Sequence, residues 1–189
     1  MDRKHETLLI NAAQHGNAQA FTELYNAYVN KVYLYIYYRV FVVAVAEDLT
    51  ADVFLKALEG LSSYEDRSTP LLAWLYRIAH ARVVDYFRSL RYRAFHQNID
   101  EVEIGIDDEM DTSLITKQQV EIVQAALKKL SAEHQQIIII RFIEGNNLET
   151  AAELLGKSVA AIKSLQFRAT QALAKVLQEQ GFEVDEYTT

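Results

Sequence analysis

The sequence predicts an all-α chain: two small helical domains joined by a flexible acidic linker. Three observations predict it. Only one proline and six glycines occur in 189 residues, so little interrupts helix. Apolar residues recur at steps of three and four through most of the chain, the period of a buried helical face. Between residues 96 and 113, "HQNIDEVEIGIDDEMDTS", that recurrence stops. This stretch is polar, acidic and contains Gly105, and it reads as a linker. A short strand over "VEIGI" is the other reading.

The first helix is expected over Leu8, Leu9, Ala12 and Ala13. Phe21, Leu24, Tyr25, Tyr28, Val32, Tyr35 and Ile36 make the next stripe. The run Val40 to Ala46 is wholly apolar; it either extends that helix into the core or forms an exposed patch for a partner. Asp48 and Leu49 open a further helix through Val53, Phe54, Ala57, Leu58 and Leu61. After "SSYEDRST", Pro70 stands where a helix begins. The helix that follows contains "AWLYRIAHARVVDYFRSLRYR" (73–93), with five arginines, one acid and several aromatics.

Beyond the linker, Val120, Val123, Leu127 and Leu130 share a face. Ser131 is placed to cap the next helix, which runs to Glu144 and stops at Gly145. Its Ile137–Ile140 run favours strand by propensity, but the cap, the glycine and the helical neighbours favour a buried helix. "LETAAELL" (148–155), "GKS" (156–158) and the helix from Val159 read as a helix-turn-helix. Gly156 supplies the turn and Ser158 the cap. Ala151, Ala152 and Leu155 are expected to face Ile162 and Leu165. Such a motif offers its second helix to the major groove; Lys157, Ser158, Lys163, Ser164, Gln166 and Arg168 are its candidate donors to phosphates and base edges.

The net charge of −7 is unevenly spread. Residues 1–93 carry 11 basic and 10 acidic side chains, residues 94–119 one against seven, and residues 120–189 seven against nine. The negative charge is therefore concentrated in the linker. There is no cysteine, which excludes disulfides and thiolate chemistry. The five histidines are scattered, and neither a phosphate loop nor a Gly-flanked nucleophilic serine occurs. These features predict no enzyme, no metal and no cofactor. "MDRKHETLLINAAQHGN" has neither the apolar core nor the cleavage site of a signal peptide, and the greasiest window, 32–46, is too short to span a bilayer and contains Arg39. A cytoplasmic protein without membrane insertion is expected.

Four blocks taken in order carry a resemblance: "AFTELYNAYVNKVYLYIYYRV", "AEDLTADVFLKAL", "WLYRIAHARVVDYFR" and "ALKKLSAEHQQIIIIRFIEGNNLETAAELLGKSVAAIKSLQFRA". Over about residues 8–178 the chain resembles the sigma-70 family, in particular its two-domain extracytoplasmic-function class. The resemblance implies a transcription initiation factor whose region 2-like domain (1–95) binds core RNA polymerase and melts the −10 promoter element. Its region 4-like domain (117–180) would read the −35 element, with 96–116 as linker and 181–189 as an acidic tail of no assigned role.

By position, Asp48, Leu49, Asp52, Val53 and Phe54 match the block that grips a coiled coil on the polymerase's largest subunits; the flap is the other implied polymerase contact. Val53 and Phe54 are also readable as core. For the melted strand the resemblance implies Ser68, Thr69, Arg77, His80, Arg82, Tyr86, Arg88 and Arg91, combining phosphate contacts, a stacking face and a base pocket. Trp74, Leu75, Ile78 and Phe87 are expected in the core. Three positions depart from the family pattern: Ala51 for a usual glutamine, Ala81 for asparagine and Leu165 for arginine. The linker is implied as an acidic mimic of nucleic acid in the polymerase's RNA path, a passive tether being the alternative, and an anti-sigma factor is an implied partner. Two other readings stay open: a helix-turn-helix regulator acting without polymerase, and an interaction protein that has lost DNA reading.

Overall fold

The computed structural model describes residues 1–65, 70–97 and 114–182. The expected "DRST" loop, with Ser68 and Thr69, most of the linker with its "VEIGI" segment, and the tail from 183 lie outside the described residues. The chain divides into two compact units, Met1–Ile106 and Asp107–Thr189. Among the described residues every regular element is helical.

The first unit contains α1 (Arg3–Gln14), α2 (Ala18–Val40), α3 (Val43–Gly60), a 3-10 turn (Leu61–Ser63) and α4 (Leu71–Gln97). Asp2 and Asn17 cap α1 and α2 by accepting from backbone N–H groups of their first turns. α2 packs against α1, α3 and α4, and α3 packs against α4. The core centres on Val32, Tyr35, Ile36, Val53, Leu75, Tyr76 and Ala79, each at most 2% exposed. Tyr35 stacks on Tyr76 at 4.6 Å, joining α2 to α4. Gln14 fastens α1 to the end of α3, its Nε2 donating to Leu61 O at 2.9 Å and Tyr64 O at 2.7 Å. Glu6 accepts from the Tyr28 hydroxyl at 2.6 Å; burial first, and that carboxylate second, raise the Tyr28 pKa.

The apolar run Val40–Ala46 does something neither expectation described. α2 stops at Val40, Phe41 turns the chain in the left-handed region at φ 56°, and α3 opens at Val43. Helix therefore resumes five residues before Asp48. Val40, Phe41 and Ala46 are buried, and Val42, Val43 and Val45 are half-buried. Two other stripes need correction: Leu8 is 67% exposed while Ile10 is buried, and Leu58 is 53% exposed.

The second unit contains α5 (Leu114–Lys128), α6 (Ala132–Ile138), a π-helical turn (Ile139–Ile143), α7 (Leu148–Leu155) and α8 (Val159–Glu179). α4 ends at Gln97 and α5 begins at Leu114, so helix takes both ends of the stretch read as linker. α8 packs against α5, α6 and α7. Ser131 caps α6 by accepting from His134 N. Ile137 to Ile140 are all buried; four consecutive helical positions cover most of the circumference, so this segment is enclosed nearly all round. The Asn146 side chain donates to Ile140 O at 3.0 Å, satisfying a carbonyl where the turn widens. Gly156 ends α7 at φ 62°. Ala151, Ala152 and Leu154 are buried on α7, as are Ile162, Leu165 and Ala169 on α8, against which α7 packs, so Leu154 takes the inward place expected for Leu155. Val123 is 44% exposed, with Gln124 and Ala126 buried instead.

Candidate nucleic-acid interface

On α4, Arg77, His80, Ala81, Val84 and Arg88 are all exposed. Their spacing of three, four, seven and eleven puts them on one helical face. Leu75 is core, Trp74, Ile78 and Phe87 are half-buried, and Tyr86 is half-buried with its ring 5.4 Å from that of Phe87. The side chain of Arg91 lies outside the described residues.

Two arginines of this helix, Arg82 and Arg88, have protein partners already. Arg82 lies 3.5 Å from Asp52 on α3 and 3.1 Å from Asp85, which also pairs with Arg88 at 3.1 Å. Arg82 is half-buried, with its Nε buried and unpartnered among the described residues. Arg39, which sequence reasoning used only as evidence against a membrane span, enters from α2. It is buried, its guanidinium carbon lies 4.1 Å above the Tyr35 ring, and its Nη1 is 3.1 Å from His80 Nδ1. Burial lowers the Arg39 pKa from its usual value, and the nearby Tyr35 partly offsets that. Burial, then the Arg39 charge, lowers the His80 pKa.

On α3 the expected partner-gripping residues separate. Asp48 is exposed and Leu49 half-buried. Asp52 is turned to Arg82. Val53 and Phe54 are core at 0% and 6% exposure, with Phe54 meeting the Tyr25 ring at 4.7 Å. As surface anchors these two are corrected: they sit on the stripe with Ala57 and Leu61 that α3 buries. The exposed large apolar residues of α3 are Leu55 and Leu58, at 54% and 53%. At 100° per residue Leu55 lies about 150° from the centre of the buried stripe. That angle was available in the sequence and marks it as surface.

On α8, Ala160, Lys163, Ser164, Phe167, Arg168 and Gln171 are exposed at steps of three and four and form one face. Lys163 and Arg168 have no ion-pair partner among the described residues. Lys157 pairs with Glu133 at 3.1 Å, and the Ser158 hydroxyl is used in capping, accepting from Ala161 N at 3.2 Å. Gln166 does not join the face: it is half-buried and accepts from Arg141 Nε at 2.7 Å, and Arg141 also donates to the Asn146 carbonyl. Leu165 is core at 2% exposure, so the position where arginine was expected points inward here. Phe167, 57% exposed, was missed; its place one turn after Lys163 was the available signal.

Among the described residues no group of three His, Asp or Glu could hold a metal ion, and no helix is long and apolar enough to cross a membrane.

Two family models match the chain, Sigma-70 region 2 over residues 24–93 and Sigma-70 region 4 over residues 126–175. The ECF RNA polymerase sigma factor BldN of Streptomyces coelicolor is 36% identical over 176 residues, covering 90% of this chain and 65% of that protein. The RNA polymerase sigma factor YlaC of Bacillus subtilis is 30% identical over 155 residues, covering 81% of this chain and 89% of that one. Among solved structures, CnrH in complex with the cytosolic domain of CnrY superposes with a TM-score of 0.65 at 25% identity, over 93% of this chain and 98% of that chain. The sigma factor RpoE in complex with the anti-sigma factor NepR, from Bartonella quintana, shares the fold at a TM-score of 0.61 and 24% identity, over 85% of this chain and 98% of that chain. Both domains in order, and relatives matched over most of this chain, place it in the sigma-70 family, in its extracytoplasmic-function class.

Proposed function

We propose that this chain binds core RNA polymerase and directs promoter-specific initiation. The second unit reads a −35 element as duplex through the α8 face, and the first holds a melted −10 strand along α4. The observation that carries this is the pair of exposed helical faces bearing cations, one in each unit, each within the matching sigma region. Lys163 and Arg168 on α8, and Arg77, His80 and Arg88 on α4, are the proposed first contacts. Arg91 beyond the described side chains, and Ser68 and Thr69 just before α4 in the sequence, complete the −10 set. Asp48, Leu55 and Leu58 form the proposed polymerase-facing surface of α3, acidic at one end and apolar toward the other.

The chain performs no covalent chemistry in this reading: opening is driven by tighter binding to the melted state than to the duplex. It acts in the cytoplasm, where the polymerase is. CnrH and RpoE were each solved with a protein partner, an anti-sigma factor in the case of RpoE; an anti-sigma factor is accordingly a proposed inhibitor of this chain.

A second reading, a polymerase-binding protein that has lost DNA reading, is favoured by Gln166 being held by Arg141 and by Arg82 being held between two carboxylates. The test is to mix the protein with bacterial core polymerase and fragmented genomic DNA and to sequence the transcript starts. Starts sharing two spaced upstream motifs, absent without the protein, are expected. Polymerase capture without such starts would favour the second reading. Duplex binding without polymerase capture would favour an autonomous regulator.

A further inference from the structure

Arg39 is the only buried cation among the described residues. It lies in the last turn of α2, one residue before its end, over Tyr35, which is itself stacked on Tyr76 of α4. Its Nε and Nη2 are buried with no partner among the described residues. Its one hydrogen bond runs from Nη1 to His80 Nδ1, 3.1 Å away.

A guanidinium has donors only. His80 Nδ1 must therefore accept, and the neutral ring carries its proton on Nε2. His80 is exposed, and with Nδ1 turned to a buried partner the Nε2–H lies on the opposite edge of the ring. That edge belongs to the face formed by Arg77, Ala81, Val84 and Arg88. Ala81 and Val84 have no polar group to offer, and Arg82 is held by Asp52 and Asp85.

We propose that Arg39 is a positioning residue: it fixes His80 as the Nε2–H tautomer, so that α4 offers the separated promoter strand one rigid donor that reads a hydrogen-bond acceptor on a base edge. This rests on the reading of α4 as the −10 surface. A base edge is the matching ligand because base readout depends on donor direction, whereas phosphates are bound by charge with looser geometry. The neighbouring arginines already supply charge. The charged group bearing on the His80 ring is Arg39 from α2; Arg77, exposed three residues earlier on α4, shares its face. The acid that α3 sends to α4, Asp52, goes to Arg82.

The experiment uses holoenzyme reconstituted with the full chain and a promoter library randomised through the −10 element. Open complexes are sequenced at about pH 7.5 and at progressively lower pH, well past the ordinary histidine pKa of about 6.5, because burial and the Arg39 charge hold the His80 pKa below it. At the higher pH, wild type should prefer one base at one position by about tenfold. His80→Ala should lose that preference and no other, Arg39→Met should reproduce the loss, and the double variant should add nothing further. Acidification should erase the preference in wild type, because a protonated ring loses its Nδ1 acceptor and repels Arg39. Nitrogen NMR of the free chain should show the proton on Nε2 in wild type and a tautomer mixture in Arg39→Met.

An unchanged profile in His80→Ala would overturn the proposal, as would a proton on Nδ1. So would acid-strengthened binding on all sequences alike, the mark of a phosphate contact. Should Arg39→Met fail to fold, shown by loss of polymerase capture, His80→Ala and the wild-type tautomer still decide. If wild-type holoenzyme opens no promoter, the reading of α4 as a −10 surface fails, and this inference with it. An active wild type with an unchanged His80→Ala profile sinks the inference alone.

Discussion

α4 and α8 both present cations on one exposed face, and they differ in how many of those cations the protein has already paired. On α4, Arg82 and Arg88 share Asp85, and Arg82 also reaches Asp52 of α3. On α8, Lys163 and Arg168 stand in the open with no ion-pair partner among the described residues. A surface whose counter-charges are already in place attracts phosphate weakly until they are displaced; an open one attracts it from the start. The difference suits the proposed division of labour, with duplex available immediately and a melted strand only after other contacts have formed. Because Asp52 belongs to α3, the charge of the −10 surface is shared with the helix proposed to meet polymerase.

The largest expected effect tests whether α8 owes its open face to its buried one. Leu165→Ala removes a fully packed side chain and should lower the stability of the second unit by about 2–5 kcal/mol, read as a shift in denaturant midpoint, with −35 duplex binding falling in step. A stable variant would mean that the α8 face is held by something other than this core. Next, Lys163→Ala with Arg168→Ala should weaken holoenzyme binding on all −35 sequences alike and reduce the salt slope by about two. Base-selective loss would instead show that one of these cations reads an edge.

Gln166→Ala should cost about 0.5–1.5 kcal/mol of stability, the net worth of one hydrogen bond, measured by denaturant titration, and should leave −35 base preference unchanged. Loss of preference at an adenine would show that Gln166 leaves Arg141 on binding. The smallest effect is expected on the paired surface. Asp85→Asn loosens Arg82 and Arg88 and should raise affinity for a single-stranded −10 oligonucleotide up to about fivefold at low salt, the scale of an exposed ion pair. Fluorescence anisotropy of the oligonucleotide reads this directly. A decrease would mean that Asp85 orients the arginines for binding.

Helix order, the caps at Ser131 and Ser158 and the tight turn at Gly156 were legible in the sequence because each depends on residues a few positions apart. The family resemblance added the roles. Facing was harder to read. Val53, Phe54, Leu55 and Leu58 are all apolar, and only the full stripe shows which are inside. Partnerships were beyond local reading altogether: Arg39 meets His80 across 41 positions, and Arg141 meets Gln166 across 25. Residue types at 82 and 166 identified candidate contacts, but not that two carboxylates hold Arg82 or that the Gln166 side-chain carbonyl accepts from Arg141. Phe41 gave no turn signal, since an aromatic residue is among the last expected at positive φ.

That corner at Phe41 bears on the order in which the chain folds. A glycine there would bend at no steric cost, whereas an L-residue in the left-handed region costs about 1–2 kcal/mol. The compensation is non-local: the ring is 3% exposed and gains its burial only when the helices around it have docked. α2 and α3 therefore cannot set their corner as an autonomous hairpin. The bend forms together with the core, making this stretch a reporter of cooperative assembly rather than a seed for it.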